Sequence, residues 1–174
     1  MRLLLDRLYQ IAGGIAAVSI LGICLVVSAQ VVLNILARLG GPGLSFTIPS
    51  YADFAGYMLS TASFMALAYT LRNGSHIRVN LFVQKLSDRP KWIVELVVLA
   101  LGGAITGYAT WYAVALMVES IEYGDMSTGI IAIPLWMPQT AMVAGLGLLT
   151  IALIDTLIEA LIARAPVLID SGSE

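Results

Sequence analysis

Four long apolar stretches, separated by short polar connections, dominate the pattern of hydrophobic and polar positions along the chain. They cover about residues 9–37, 54–71, 92–118 and 134–155. A helix needs about 20 mostly apolar residues to cross a hydrocarbon core, and each stretch is near that length or longer. A membrane barrel would instead alternate apolar and polar positions along each strand. The pattern therefore predicts an all-α integral membrane protein with four transmembrane helices, forming one domain over residues 1–174.

The connection between the second and third stretches has a helical pattern of its own. Apolar residues recur at positions 79, 82, 83 and 86, while polar residues occupy another face. This spacing predicts a short amphipathic helix over about residues 76–87, lying in the membrane interface. Residues 165–174 are predicted to form a short tail after the fourth transmembrane helix.

Composition agrees with a lipid environment. Of the 174 residues, 59% are hydrophobic and only 11% are charged. A soluble domain usually has about a quarter of its residues charged, so these charges are too few to cover a soluble surface. The net charge of −2 gives no indication of nucleic-acid binding. An integral membrane protein is the class that remains.

The basic residues predict an orientation in the membrane. Of the nine Lys and Arg residues, only Arg38 falls in the first connection, and none falls in the third. The others lie in the N-terminal segment, the second connection and the tail, and short basic segments stay cytoplasmic. Both termini should therefore be cytoplasmic, with Lys85, Arg89 and Lys91 at the cytoplasmic interface. The third connection contains only acidic charges and should lie outside.

The chain lacks the residues that most membrane enzymes need. His76 is the only histidine and Cys24 the only cysteine. Haem in a helical bundle usually requires paired histidines, zinc requires several convergent ligands, and thiol redox chemistry requires a cysteine pair. We therefore expect no catalytic residues, no metal ligands, no cofactor and no enzymatic activity.

Membrane-embedded charges, which small exporters use, are also missing from the centres of the four stretches. Glu95 is expected in the first turn of the third helix, after the break made by Asp88, Arg89 and Pro90. Asp155 and Glu159 are expected where the fourth helix leaves the membrane. A four-helix protein that acts alone, as a small exporter or as a scaffold of another complex, stays open as an alternative to a transport subunit.

Small residues mark two candidate packing positions. Gly103 and Gly107 form a GxxxG motif, and Ala141 and Gly145 form a looser pair of the same spacing. Small side chains let helix backbones approach closely, and packing drives helix association in lipid. These pairs are expected to serve either the internal packing of the bundle or contacts with a partner.

Two polar pairs near helix ends carry further expectations. Gln30 and Asn34 lie one turn apart and are expected to hydrogen-bond to another helix, with headgroups and water as the alternative partners. Ser50 and Asp53 have the spacing of a capping box at the start of the second helix.

Three segments resemble a known family. The segment "RNGSHIRVNLF" resembles the element "R-x-G-x-H-I-R-V-D" of the small membrane subunit of tripartite ATP-independent periplasmic (TRAP) transporters. The segment "IPSYADFAGYML" is similar to the one at the start of the second helix of that subunit, and "STGIIAIPLWMPQTAMVAGLGLL" resembles the Ser-rich loop that leads into its last helix. Asp53 stands where the family more often has Glu, and Asn80 where it has Asp. The positions carried over are Arg72, Gly74, His76, Arg78, Asn80, Asp53, Pro134 and Trp136.

The resemblance implies a function and a location. Such transporters combine a periplasmic substrate-binding protein, a large polytopic membrane subunit and a small subunit in the bacterial inner membrane. They import organic acids with an ion gradient, and any sodium coupling resides in the large subunit. The small subunit is expected to be non-catalytic, to pack against and stabilise the large subunit, to meet the binding protein transiently, and to contact membrane lipids.

Overall fold

The structure, a computed structural model, describes residues 2–40, 46–73 and 88–164. Within these ranges the chain forms four helices: α1 (Arg2–Gly40), α2 (Tyr51–Arg72), α3 (Asp88–Tyr123) and α4 (Trp136–Ala163). All four are long and apolar enough to cross a membrane. The prediction of an all-α protein with four transmembrane helices is confirmed. The predicted interfacial helix over residues 76–87 and the tail over residues 165–174 lie outside the described residues.

The helices extend beyond the apolar stretches that predict them. α1 has 39 residues and α3 has 36. At 1.5 Å per residue, α1 is about 58 Å long, which exceeds a bilayer of about 40–45 Å including its headgroups. Hydropathy identifies only the part of a helix that faces hydrocarbon, because charged residues continue a helix through the headgroup layer without an apolar signal.

The helices pack as a row in the order α1, α2, α4, α3. The main contacts join α1 to α2, α2 to α4, and α4 to α3. We call the end where α1 and α3 begin and α2 and α4 finish the arginine end. We call the opposite end, with residues 46–50 and 124–135, the loop end. The central helices α2 and α4 are therefore parallel, and each has an antiparallel outer neighbour.

The buried core is concentrated between the central helices, toward the arginine end. Three of its alanines, Ala68, Ala152 and Ala160, have no exposed surface at all. Such small residues allow close approach of helices. The core cluster comprises Tyr9, Ala68, Leu71, Leu99, Leu149, Ala152, Leu153 and Ala160.

The GxxxG motif faces α4. A Cβ placed on Gly107 would lie 3.6 Å from Cγ2 of Thr150, and one on Gly103 would lie 4.0 Å from Cβ of Leu153. One turn further along, the hydroxyl oxygens of Thr110 and Thr150 are 3.2 Å apart. Both glycines therefore lie at the seam between α3 and α4 inside the chain.

Gly145 marks the closest approach of the central helices. A Cβ on this residue would collide with the backbone carbonyl of Phe64 and would lie 2.7 Å from its Cβ. Real Cβ atoms essentially never come so close, so the crossing of α2 and α4 requires glycine here. Ala141, one turn earlier, is half-buried.

Candidate functional site

Arg72, the last residue of α2, joins three helices at the arginine end. Its Nη1 lies 3.4 Å from Oδ2 of Asp155 and 3.3 Å from Oε2 of Glu159, both on α4. Its Nη2 lies 3.6 Å from Oδ1 of Asp6 on α1. Residues four apart share a helix face, so the two α4 carboxylates point at the same guanidinium. We call these four residues the arginine cluster.

The members of the arginine cluster differ in exposure. The side chains of Arg72, Asp155 and Glu159 are 21%, 22% and 24% exposed, whereas that of Asp6 is 48% exposed. Exposed ion pairs contribute little to stability, while a shielded charge that loses its partner is costly. The bond between α2 and α4 is therefore the structural part of the cluster, and Asp6 is the accessible part.

The arginine cluster gives the two α4 carboxylates a partner inside the chain. Asp155 and Glu159 lie within α4, which continues to Ala163. Both side chains turn toward α2. The helix continues past the predicted span over residues 134–155, and the guanidinium of Arg72 lies beside both charges. The end of the span within the membrane stays a prediction.

A groove lies beside the cluster, between α1 and α2. Its volume is about 760 Å³. The side chain of Tyr9 is only 2% exposed, and its hydroxyl has no hydrogen-bond partner within the described residues. The groove is lined by Asp6, Tyr9, Gln10, Gly13, Gly14, Ala17, Tyr69, Arg72 and Asn73.

Glu95 lies deeper in its helix than the expected first turn, and it is buried. α3 begins at Asp88, so Glu95 is the eighth residue of the helix and is 6% exposed. Asp88, Arg89 and Pro90 were expected to separate two segments, but they form the first turn of α3, where proline is tolerated. Nearby, Nε1 of Trp92 donates a 2.8 Å hydrogen bond to the carbonyl of Ala160 on α4.

The acidic connection at the loop end is a hairpin. Gly124, with φ of 67°, turns the chain after α3. The backbone N–H of Ser127 donates to the carbonyl of Ile133 at 2.8 Å, and that of Leu135 donates to the carbonyl of Asp125 at 3.0 Å. This connection therefore has backbone pairing of its own.

The hairpin packs on the start of α2 and corrects the capping-box expectation. Ser50 has φ of 56° and makes no side-chain cap. Its hydroxyl instead accepts a 3.0 Å hydrogen bond from the N–H of Ile131. Gly129 lies against the carboxylate of Asp53, in the first turn of α2. Both polar residues thus face the hairpin.

The Gln30 expectation is also corrected. Its Oε1 accepts a 2.9 Å hydrogen bond from the N–H of Ile48, and its Nε2 donates to Oδ1 of Asn34 at 3.0 Å. The partner is the segment before α2, not another helix. With 3% exposure, Gln30 fixes this segment against α1.

The family-motif positions that the structure describes do not converge on one place. Arg72 lies at the arginine end, as do the interface residues Arg89 and Lys91, while Asp53, Pro134 and Trp136 lie at the loop end. No group of three or more histidine, cysteine or acidic side chains that could hold a metal occurs among the described residues. Gly74, His76, Arg78, Asn80 and Lys85 lie outside the described residues.

Sequence reasoning missed the partners of Arg72 and the groove. One signal was present: two carboxylates one turn apart on an apolar helix require a cation nearby. Their spacing did not say which of the basic residues supplies it, because Arg72 and Glu159 are 87 residues apart.

Four long apolar helices in a row define a multi-pass membrane protein. The profile of the family described as tripartite ATP-independent periplasmic transporters, DctQ component, matches residues 23–163. The chain belongs to this family, the small membrane component of TRAP transporters, and is an inner-membrane protein. Comparisons with curated proteins and with solved structures gave no match.

Proposed function

We propose that the chain packs against the large ion-coupled membrane subunit and stabilises it during uptake of an organic acid delivered by a periplasmic binding protein. Membership of the DctQ family supports the subunit role. The observation that carries the packing role is the open row of helices. Only 11–22% of residues in the most apolar window of each span are buried within the chain. Most residues in each of these windows are therefore at least partly exposed to lipid or to another protein.

The middle of α3 is the surface that best fits a protein partner. Tyr108, Trp111 and Tyr112 are 67%, 74% and 56% exposed. Aromatic residues with polar groups prefer the membrane interfaces, yet these three lie near the centre of a 36-residue helix. Hydrocarbon offers no partner for an indole N–H, whereas a neighbouring helix can offer one. We place the large subunit on this face of α3.

Trp111→Ala is therefore expected to weaken co-purification with the large subunit by about tenfold or more, as the loss of a central aromatic contact does. Pull-down from co-expressing membranes, followed by organic-acid uptake in liposomes with the binding protein, measures this. Tyr123→Ala, an equally exposed aromatic residue at the loop end, is the matched control. Equal pull-down by both variants would show that this face of α3 does not contact the large subunit.

Unaided transport by this chain, or a stable homodimer without a large partner, would contradict the subunit role itself.

We also propose that both termini are cytoplasmic and that the hairpin is periplasmic, as the distribution of basic residues favours. In a Cys24→Ser background, Thr128→Cys is expected to react with an impermeant thiol reagent in intact cells. Ala163→Cys, at the arginine end, is expected to react only after lysis. Both replaced residues are exposed, so reactivity reports their side of the membrane. The reverse pattern would invert the topology.

A further inference from the structure

We propose that the groove between α1 and α2 binds a phospholipid with a primary ammonium headgroup. Its phosphate would accept hydrogen bonds from Arg72, and its ammonium would bind Asp6. Part of an acyl chain would lie along α1. This inference concerns the chain itself and does not depend on the large subunit.

The groove has the shape and polarity of a lipid site. Its α1 side is a single stripe from Asp6 to Ala17, which spans about 16 Å at 1.5 Å per residue. Charged groups lie at the boundary end, since Arg72 is the last residue of the second span. Further in, Gly14 leaves open space beside the helix, because a Cβ there would meet no atom within 4 Å, whereas Gly13 packs against the ring of Tyr69. A ligand that is polar at the boundary and apolar within the bilayer matches this order.

The headgroup would bind two charges, Arg72 and Asp6, that are loosely paired with each other, and Asp6 is the accessible one. Nη2 of Arg72 lies 3.6 Å from Oδ1 of Asp6, longer than a good hydrogen bond. The guanidinium carries five N–H donors in all. A phosphate oxygen can therefore accept from Nη2 while an ammonium approaches Asp6, whose side chain is 48% exposed.

The surrounding charges select the headgroup. Three carboxylates surround Arg72, which disfavours an anionic headgroup that brings no positive charge. A quaternary ammonium has no N–H to donate to Asp6. A headgroup with both a phosphate and a primary ammonium satisfies both residues. Tyr9, which also lines the groove, has a buried hydroxyl without a partner in the described residues, and a headgroup or its water can satisfy it.

The test is native mass spectrometry of the purified full chain. The protein is equilibrated with equal amounts of phosphatidylethanolamine, phosphatidylcholine and phosphatidylglycerol carrying identical acyl chains. Retention of phosphatidylethanolamine is expected to exceed that of the others by about fivefold, as one favourable ion pair allows. Asp6→Asn is expected to remove this preference, whereas Glu122→Gln, an exposed carboxylate at the loop end, should keep it.

A pair of glycine variants tests the groove itself. A Cβ on Gly14 or on Gly56 meets no atom within 4 Å, so either position accepts a larger side chain without a clash. Gly14 lines the groove and Gly56 does not. Gly14→Leu is expected to lower lipid retention at least fivefold, as filling a site does, and Gly56→Leu to leave it unchanged. Circular dichroism and thermal melting verify that both variants fold.

Three outcomes would overturn the proposal. Equal retention of the three lipids, or a preference for phosphatidylglycerol, would show that Asp6 does not bind the ammonium of the headgroup. Equal retention by Gly14→Leu and Gly56→Leu would place any bound lipid elsewhere. A loss of co-purification in Gly14→Leu with unchanged lipid retention would show that the groove receives a protein segment instead.

Discussion

Gly145→Ala is expected to destabilise the bundle, although alanine is the better helix former by about 1 kcal/mol. The added methyl group would collide with the backbone of Phe64, and a backbone atom cannot move aside as a flexible side chain can. The helices must separate, and overpacking of this kind costs about 1–3 kcal/mol or more. The thermal midpoint of the purified protein should fall by about 5 °C or more.

Gly147→Ala is the matched control for this variant. It lies two residues further along α4. A Cβ there would be 3.9 Å from Cγ2 of Thr110 on α3, which is an ordinary contact. Its thermal midpoint should be unchanged or slightly higher, because only the helix-propensity gain remains. Equal midpoints for the two variants would show that α2 and α4 do not cross at Gly145.

The transmembrane helices could be predicted because each is a local property of a continuous apolar segment. Their ends could not, since Asp88 and Pro90 resemble a break in the sequence yet form the first turn of α3. The order of the helices in the row is not encoded in hydropathy at all. Close approach of the parallel helices α2 and α4 depends on Gly145 meeting Phe64, residues 81 positions apart.

The sequence indicated which polar residues make contacts but not which groups they contact. Ser50 was correctly identified as a polar residue at a helix start, but its partner is Ile131 in a distant hairpin. Gln30 was expected to form a hydrogen bond, and its donor is the backbone N–H of Ile48. In both cases the missing information is three-dimensional, because a side chain satisfied by a remote backbone group leaves no pattern in the sequence.

The central helices thus carry contacts at both ends of the bundle. At the loop end, Ser50 ties the start of α2 to the hairpin that leads into α4. At the arginine end, Arg72 ties the last residue of α2 to Asp155 and Glu159. Between them, Gly145 permits the close crossing. These positions connect α2 and α4 at both ends and at their crossing, and α1 and α3 pack on their outer sides.

Arg72→Gln is expected to destabilise the protein by about 2–3 kcal/mol, because it removes the cation that lies between the shielded carboxylates of Asp155 and Glu159. The side chains of Asp155 and Glu159 are less than a quarter exposed, so water compensates them only partly. Thermal melting of the purified protein and the yield of assembled complex measure the loss. Arg164→Gln, an exposed arginine at the end of α4, is the control and should change neither.

A compensating variant separates electrostatics from lost packing. Adding Asp155→Asn and Glu159→Gln to Arg72→Gln removes the repelling charges while keeping side-chain size, and replacing a whole shielded ion pair by neutral groups is often nearly neutral. The triple variant should therefore be more stable than Arg72→Gln alone. Three substitutions with independent destabilising effects would give the opposite result. If it is less stable than the single variant, the carboxylates do more than balance Arg72. Their role would then be to bind groups other than this guanidinium.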